Sequence, residues 1–276
     1  MQAESTRDLE RVRSVLQRDA IATAYMLGDL DPVYAPYCTW WVALDRAHGH
    51  DVAVLQVYTG LSAPVVLTHG STEGIAAIVR DFRNELPGRA HVHLDPEHLA
   101  VLKSYFQFER LRPMMRMGLR AAELASEVPA PGPDYEPIAR LGHRDTGDIV
   151  ALSAFYPDSF FEPHQLSSGH YYGIRTTGTR ELVSVAGLHI LSRTDGLAAL
   201  GNIVTHPEHR GRGLSTACTA HLSAALRDEG VPLLVLNVQH DNTHARRIYE
   251  KLGFREHATY LEGFLVRALE SNGAAA

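Results

Sequence analysis

Two cysteines, Cys38 and Cys218, are all that 276 residues contain. Thiols so few and so far apart exclude a disulfide framework and suit a reducing compartment, where each reads as a small buried apolar side chain. Lysine is as scarce, occurring only at Lys103 and Lys251, and the basic residues total 26 against 32 acidic ones, for a net charge of −6. Neither half of the chain has the basic excess of a nucleic-acid binder, so no polyanion partner is expected. Long apolar runs are missing too. The opening stretch MQAESTRDLERVRSVL is charged throughout, which excludes a secretory leader and a membrane span and makes the cytoplasm the expected location.

What is present is a globular composition, 45% hydrophobic and 21% charged, in a chain long enough for two ordinary domains. The segment SEVPAPGPDYEP, Ser126 to Pro137, carries four prolines and a glycine and cannot continue a helix. It marks a linker at 126–133 between domains at 1–125 and 134–276. Before it, helical patterns at Thr6 to Arg18 and in DAIATAYMLGDL lead into the strand-like runs TWWVAL, DVAVLQVY and PVVLTH. Helix-like STEGIAAIVRDF, strand AHVHL, helix PEHLAVLKSYF and strand RPMMRMGL follow. After the linker the order is similar: strand YEPIARL, helix RDTGDIVALSAFY, strands YYGIRT, ELVSVAGLHIL and LAALGNIVTH, helix RGLSTACTAHLSAAL, strand PLLVLNV, helix NTHARRIYEKL and strand YLEGFLV. Mixed α/β order occurring twice predicts an α/β fold of the α+β mixed-sheet kind, in tandem.

One turn stands out. In THPEHRGRGLSTA the strand ends before Pro207, and Leu214, Cys218, Leu222 and Leu226 then recur at helical spacing, so the glycines lie between a strand and a helix. Gly211 and Gly213 permit backbone angles closed to other residues, and the free N–H groups of a first helical turn attract anions. Arg210 and Arg212 add charge-assisted donors suited to phosphate. The same letters also fit a loop with solvated arginines.

A second stretch bears on that choice. In DNTHARRIYEKLGF, Asn242, Ala245 and Tyr249 share one helical face, and Gly253 ends the helix before Phe254. Alone, Asn242 reads equally as an N-cap and Tyr249 as a packing residue. Together the two stretches resemble the GNAT superfamily of acyl-CoA-dependent N-acyltransferases. Arg210, Gly213 and Ser215 match its Gln/Arg-x-x-Gly-x-Gly/Ala turn, and Asn242, Ala245, Tyr249, Gly253 and Phe254 match its Asn-x-x-Ala-x-x-x-Tyr-x-x-x-Gly-Phe helix. The resemblance covers about Asp134 to Val266. It implies that the main chain of Arg210, Gly211, Arg212, Gly213, Leu214 and Ser215 cradles the pyrophosphate of acetyl-CoA or another acyl-CoA. It further implies that Ile203, Val204 and Thr205 pair with pantetheine, that Asn242 contacts the pantetheine arm, and that Tyr249 acts as the catalytic acid facing the thioester sulfur. The N-terminal half resembles a degenerate copy, as in glycine N-acyltransferase-like proteins, and is expected to bind no cofactor.

Two departures accompany the match. Ser215 replaces a Gly or Ala, one small residue for another. Many relatives carry a Glu or His on the fourth strand as general base, where this chain has Ala199 and Gly201, which leaves water, the substrate's own ionisation, His189 or Glu262. His91, His93 and Asp95, with His98 beyond, have a spacing that zinc could use, but polar positions alternating with Val92 and Leu94 explain it as well; His240, Asp241 and His244 flank a helix start. Neither group reads as a metal site. The expectation is an acetyl-CoA-dependent N-acyltransferase with a small-molecule amine acceptor, no metal, no nucleic-acid or membrane partner, and a homodimer as the assembly to test. A non-catalytic acyl-CoA-binding or regulatory protein, or a structural pair of domains with a vestigial site, is the alternative.

Overall fold

The computed structural model describes residues 1–125, 129–156 and 161–267, and by contacts the chain divides into two compact units, Met1–Met115 with Ala258–Ala276, and Arg116–His257. The first unit contains β1 (Gln2–Thr6), α1 (Leu9–Leu16), α2 (Ala24–Gly28), β2 (Cys38–Asp45), β3 (His50–Tyr58), β4 (Val65–Gly70), α3 (Thr72–Phe82), β5 (Arg89–Leu94) and α4 (Leu99–Lys103). Next comes β6 (Phe106–Arg120), whose first ten residues belong to the first unit and the rest to the second. The second unit continues with β7 (Ala139–Leu141), α5 (Thr146–Ser153), β8 (Tyr171–Arg175), β9 (Leu182–Ser192), β10 (Leu197–Thr205), α6 (Leu214–Asp228), β11 (Leu233–Gln239) and α7 (Thr243–Lys251). The last strand, β12 (Arg255–Arg267), leaves the second unit after His257 and joins the first.

Each unit is a mixed sheet with helices on it. The first has the order β1-β2-β3-β4-β5-β12-β6, with β1–β2, β2–β3, β3–β4 and β5–β12 antiparallel and β4 and β5 parallel across α3. The second has the order β6-β11-β10-β9-β8-β7, with β10 and β11 parallel across α6. Parallel neighbours need a crossover, and the helix that supplies it is amphipathic in both cases. In α3, Ile75, Ile78 and Val79 pack with Trp41, Leu55 and Val92. In α6, Leu214, Cys218, Leu222 and Leu226 form the buried face, as their spacing predicts.

By contacts the divisions fall after Met115 and after His257. Proline content marks where regular structure stops, and residues 126–128 of the expected linker lie outside the described residues. Pairing, not composition, decides which unit a strand joins: Leu261 to Val266 pair antiparallel with Leu94 to Arg89, so β12 completes the first sheet. The helix expected at Thr6 to Arg18 starts only at Leu9, because Gln2 to Thr6 pair with Leu44 to Trp40 and Asp8 then caps α1. Across PEHLAVLKSYF the helix is broken into a 3-10 turn, Pro96–His98, and the short α4.

A buried polar group lies at the C-terminal end of α2. The carboxyl of Asp29, 6% exposed, is 2.6 Å from Gln56 Nε2, which also donates to Cys38 Sγ at 3.3 Å. Cys38 thus sits among polar groups, whereas Cys218 is buried in α6. Burial pushes the Asp29 carboxyl up to about 7, against the opposing pull of the Gln56 hydrogen bond. Folding therefore favours the protonated acid. Its stabilisation is complete below the ordinary value of 3.8 and is lost as pH rises toward about 7. Thermal unfolding of wild type and Asp29→Asn across pH 4 to 8 checks this: relative to the variant, the wild type should lose Tm up to about pH 7 and then hold level, and a constant difference would refute the titration.

Candidate active site

The site begins where two parallel strands part. β10 and β11 pair through Leu197↔Leu233, Ala198↔Leu234, Ala199↔Val235 and Leu200↔Leu236, yet β10 runs on to Thr205 and β11 to Gln239. Among the described residues, beyond Leu200 one main-chain edge of β10 has no neighbouring strand on the β11 side. Backbone N–H and C=O groups demand partners, so an extended ligand laid along Gly201 to Thr205 meets a strand edge ready to pair. The other edge stays tied to β9 through Val204↔Val185 and Thr205↔Ser184.

The glycine turn follows directly. Gly211 and Gly213 both have φ of +76°, a conformation that glycine adopts without the strain a Cβ brings. A Cβ built at either meets no atom within 4 Å, so the turn is open on the side a ligand approaches. Gly213 caps α6 without a side chain, leaving the first-turn N–H groups of Leu214, Ser215 and Thr216 unclaimed within the helix. By contrast α1, α3 and α7 are capped by Asp8, Ser71 and Asn242, whose side chains accept from Arg11, Gly74 and Ala245 N–H groups. Arg210 and Arg212 extend the donor set but rest on tyrosines. Arg212 Nη1 donates to Tyr135 Oη at 2.9 Å, and Arg210 Nη2 donates to Tyr156 Oη at 2.9 Å with its guanidinium over the ring. Tyr156 in turn donates to the carbonyl of Thr205, joining the strand end to the turn. Neither tyrosine was marked by a motif.

The second motif lies beside the first because β10 and β11 are adjacent and parallel, which puts the turns after both strands at the same end of the sheet. Asn242 Oδ1 caps α7 by accepting from Ala245 N–H at 3.1 Å, so the N-cap reading of this residue is what the geometry records, with its amide N–H groups left over. Tyr249 is buried and edge-on to Phe254, with ring centroids 6.2 Å apart. Among the described residues its hydroxyl has no hydrogen-bond partner, and burial pushes the phenol above its ordinary value. It is a neutral donor throughout the physiological range.

The candidates for a base separate clearly. Ala199 is fully buried, and the space at Gly201 is filled by the His189 ring: a Cβ at Gly201 would lie 2.3 Å from its Cε1 and Nε2. Glu262 lies in the first unit, where Arg112 Nη2 stands 2.9 Å away, Tyr260 donates at 3.2 Å and His93 lies at 3.7 Å. Burial opposes its ionisation, but His93 and Arg112 together hold it below the usual range, and it is committed to that ion pair. His91 and His93 are half-buried against Phe264 and Tyr260 rather than exposed, and Asp95 caps the 3-10 turn. Among the described residues no group of three or more His, Cys, Asp or Glu is arranged to hold a metal ion, and no helix is long and apolar enough to cross a membrane.

The equivalent place in the first unit is closed. β4 and β5 pair only as far as Leu67↔His93, and His98, fully buried, bridges the free end of β4. Its Nε2–H donates to Gly70 O at 3.0 Å and its Nδ1 accepts from Thr68 Oγ1 at 2.8 Å. Burial keeps this imidazole neutral. With Ser71 capping α3, the Gly70 carbonyl at the strand end and the helix terminus each have an internal partner.

Residues 138–254 match the model of the acetyltransferase (GNAT) family. Over 266 residues, 88% of this chain and 76% of the relative, the sequence is 26% identical to a mycothiol acetyltransferase of Streptomyces avermitilis. An uncharacterized N-acetyltransferase of Bacillus subtilis, YobR, is 35% identical over 71 residues, a match that covers 26% of this chain and 29% of the relative. The fold is similar to that of a tandem GNAT protein from the clavulanic acid biosynthesis pathway, with TM-score 0.60 and 18% identity across 98% of this chain and 100% of that one.

A cradle built from main-chain donors has a direct test with pyrophosphate. At a hundredfold excess over its dissociation constant a ligand stabilises the fold by about 2.7 kcal/mol. Pyrophosphate should raise the Tm of the wild type, and Gly213→Glu should abolish the rise by placing bulk, strain and like charge in the turn. Equal shifts in both proteins would place the anion elsewhere.

Proposed function

With residues 138–254 forming a domain of the acetyltransferase (GNAT) family, we propose that this chain transfers an acyl group from acetyl-CoA to the primary amine of a small molecule. The observation that carries this reading is the parting of β10 from β11 beside an uncapped, glycine-led helix terminus. The strand edge from Ile203 to Thr205 suits the amide groups of a pantetheine arm, and Arg210 to Ser215 suit a pyrophosphate. Asn242 has amide N–H groups to spare for the same arm. The second unit holds the acyl donor; in the first, His98 and Ser71 occupy the corresponding groups and no donor binds.

The chemistry needs three things from the protein. The amine nitrogen must arrive neutral and attack the thioester carbon; the developing oxyanion needs N–H donors; the sulfur leaves as the C–S bond breaks. Main-chain N–H groups at the bulged end of β10 serve the oxyanion. Tyr249 serves the sulfur by donating a hydrogen bond to it as the C–S bond breaks, while the proton shed by the new amide nitrogen passes to water and the released thiolate takes one from water. A thiol of pKa about 8.5 is a stronger acid than a buried phenol, so the gain lies in hydrogen bonding during bond cleavage more than in complete transfer.

A non-catalytic acyl-CoA binder is the second reading, favoured by the absence of a carboxylate at Ala199 and Gly201. Incubation with acetyl-CoA and a panel of amino acids, polyamines, aminoglycosides and the acceptor of mycothiol acetyltransferase separates the two. Release of free thiol that depends on one amine supports transfer; acetyl-CoA binding with no thiol release from any acceptor supports the binder. Given turnover, Tyr249→Phe should lower kcat by roughly 10²-fold, the lower end of the range for acid catalysis, with acetyl-CoA affinity unchanged; an unaltered kcat with chemistry rate-limiting would remove Tyr249 from the reaction. The pH limb of kcat/KM should move with the amine pKa when two close analogues are compared. A limb that stays fixed would identify a protein base, with His189 over Gly201 the first to replace.

A further inference from the structure

Between Gly201↔Gly187 and Val204↔Val185, two residues of β10, Asn202 and Ile203, stand opposite the single residue Ala186 of β9. This bulge turns main-chain groups away from the ladder at the point where the strands part. It also carries strain: Asn202 has φ of +51°, left-handed in a residue other than glycine. Something must hold it there, and the side chain shows what does.

Asn202 is 8% exposed, and its Nδ2 donates in two directions, to Tyr171 Oη at 2.8 Å and to Gln165 Oε1 at 2.9 Å. Gln165 Oε1 also accepts from Glu162 N–H at 3.1 Å, and the Tyr171 hydroxyl lies 3.1 Å from the carbonyl of Leu188. The amide N–H groups of Asn202 go one to each partner, and the Tyr171 hydroxyl, 3.0 Å from Gln165 Oε1 and 3.1 Å from the Leu188 carbonyl, gives its one proton to one of these two acceptors. Tyr171 is fully buried with its ring over Gly187, where a Cβ would come within 2.2 Å of it. The phenol is therefore fixed by packing as well as by hydrogen bonds. Gln165 belongs to the 3-10 segment Pro163–Ser168, in the stretch YPDSFFEPHQLSSGH that the acyl-transfer reading assigns to the acceptor side; residues 157–160 of it lie outside the described residues.

We propose that Gln165, Tyr171 and Asn202 form a latch that makes the 162–168 segment and the bulge of β10 one conformational element, so that a donor laid along the strand end also orders the acceptor side. The proposal rests on the acyl-transfer reading. Tyr171 and Gln165 are positioning residues that act through Asn202, and the main-chain groups at Asn202 and Ile203 are what they position. A ligand bound to one part of a cooperative element slows the opening of all of it.

Amide hydrogen exchange on the full chain, with acetyl-CoA as the probe, tests this. In the wild type acetyl-CoA should slow exchange at 201–205 and at 162–168 together. In Gln165→Leu, which removes the acceptor that Asn202 and Tyr171 both reach, slowing should persist at 201–205 and be lost at 162–168. Turnover should fall about five- to tenfold, the range for one neutral hydrogen bond, with KM for acetyl-CoA unchanged. Asn202→Gly, which keeps the positive φ available, should add little on top of Gln165→Leu. If Gln165→Leu does not fold, Asn202→Gly alone breaks the same link from the strand side. Slowing confined to 201–205 in the wild type, or retained at both segments in the variants, overturns the latch and leaves the acyl-CoA site standing. No slowing at either segment overturns the acyl-CoA reading and the latch with it.

Discussion

A main-chain edge without a neighbour is the constraint around which the second unit is arranged. Once β10 and β11 separate beyond Leu200 and Leu236, peptide groups that a sheet would satisfy are left for something else. The neighbouring features answer that demand: a helix start with no side-chain cap, two glycines in left-handed geometry, and Tyr156 tying the Thr205 carbonyl to Arg210. In the first unit the same topology is settled internally, by an imidazole and a serine hydroxyl. The difference between an open and a closed cleft comes down to a few polar atoms in each.

Much of this was legible in the sequence, for local reasons. Strand-turn-helix order, the anion-suited turn and the face shared by Asn242, Ala245 and Tyr249 all follow from periodicity and from what glycine permits. The latch, the bulge and the closure by His98 were not legible. Each depends on register between strands, since two residues face one at Asn202 only because of where β9 and β10 begin to pair. Likewise His189 comes over Gly201 at a second register shift, where it stands unpaired between Leu188 and Ile190 of β9, and no spacing within either strand announces it.

Motif and geometry also assign different weights to the same residues. Arg210 and Arg212 look like phosphate ligands in the sequence, yet the structure rests both on tyrosine hydroxyls, which hold the charges near the turn without burying them. Glu262, plausible as a proton acceptor from its letter alone, belongs to an ion pair in the other unit. A side chain's chemistry is set by its neighbours, and those come from topology.

The placement of β12 has a consequence for how the molecule is made. Its partner β5 emerges early from a ribosome, while Leu261 to Val266 come at the far end of the chain. Through most of synthesis the first sheet must wait with the Arg89 to Leu94 edge unpaired, and such an edge is a template for pairing with other chains. His91 and His93, polar residues half-turned to solvent on that edge, blunt its appetite for strangers during the wait. Order of synthesis thus makes the first unit the last to be finished, and a stalled or clipped chain would harm the half that was translated first.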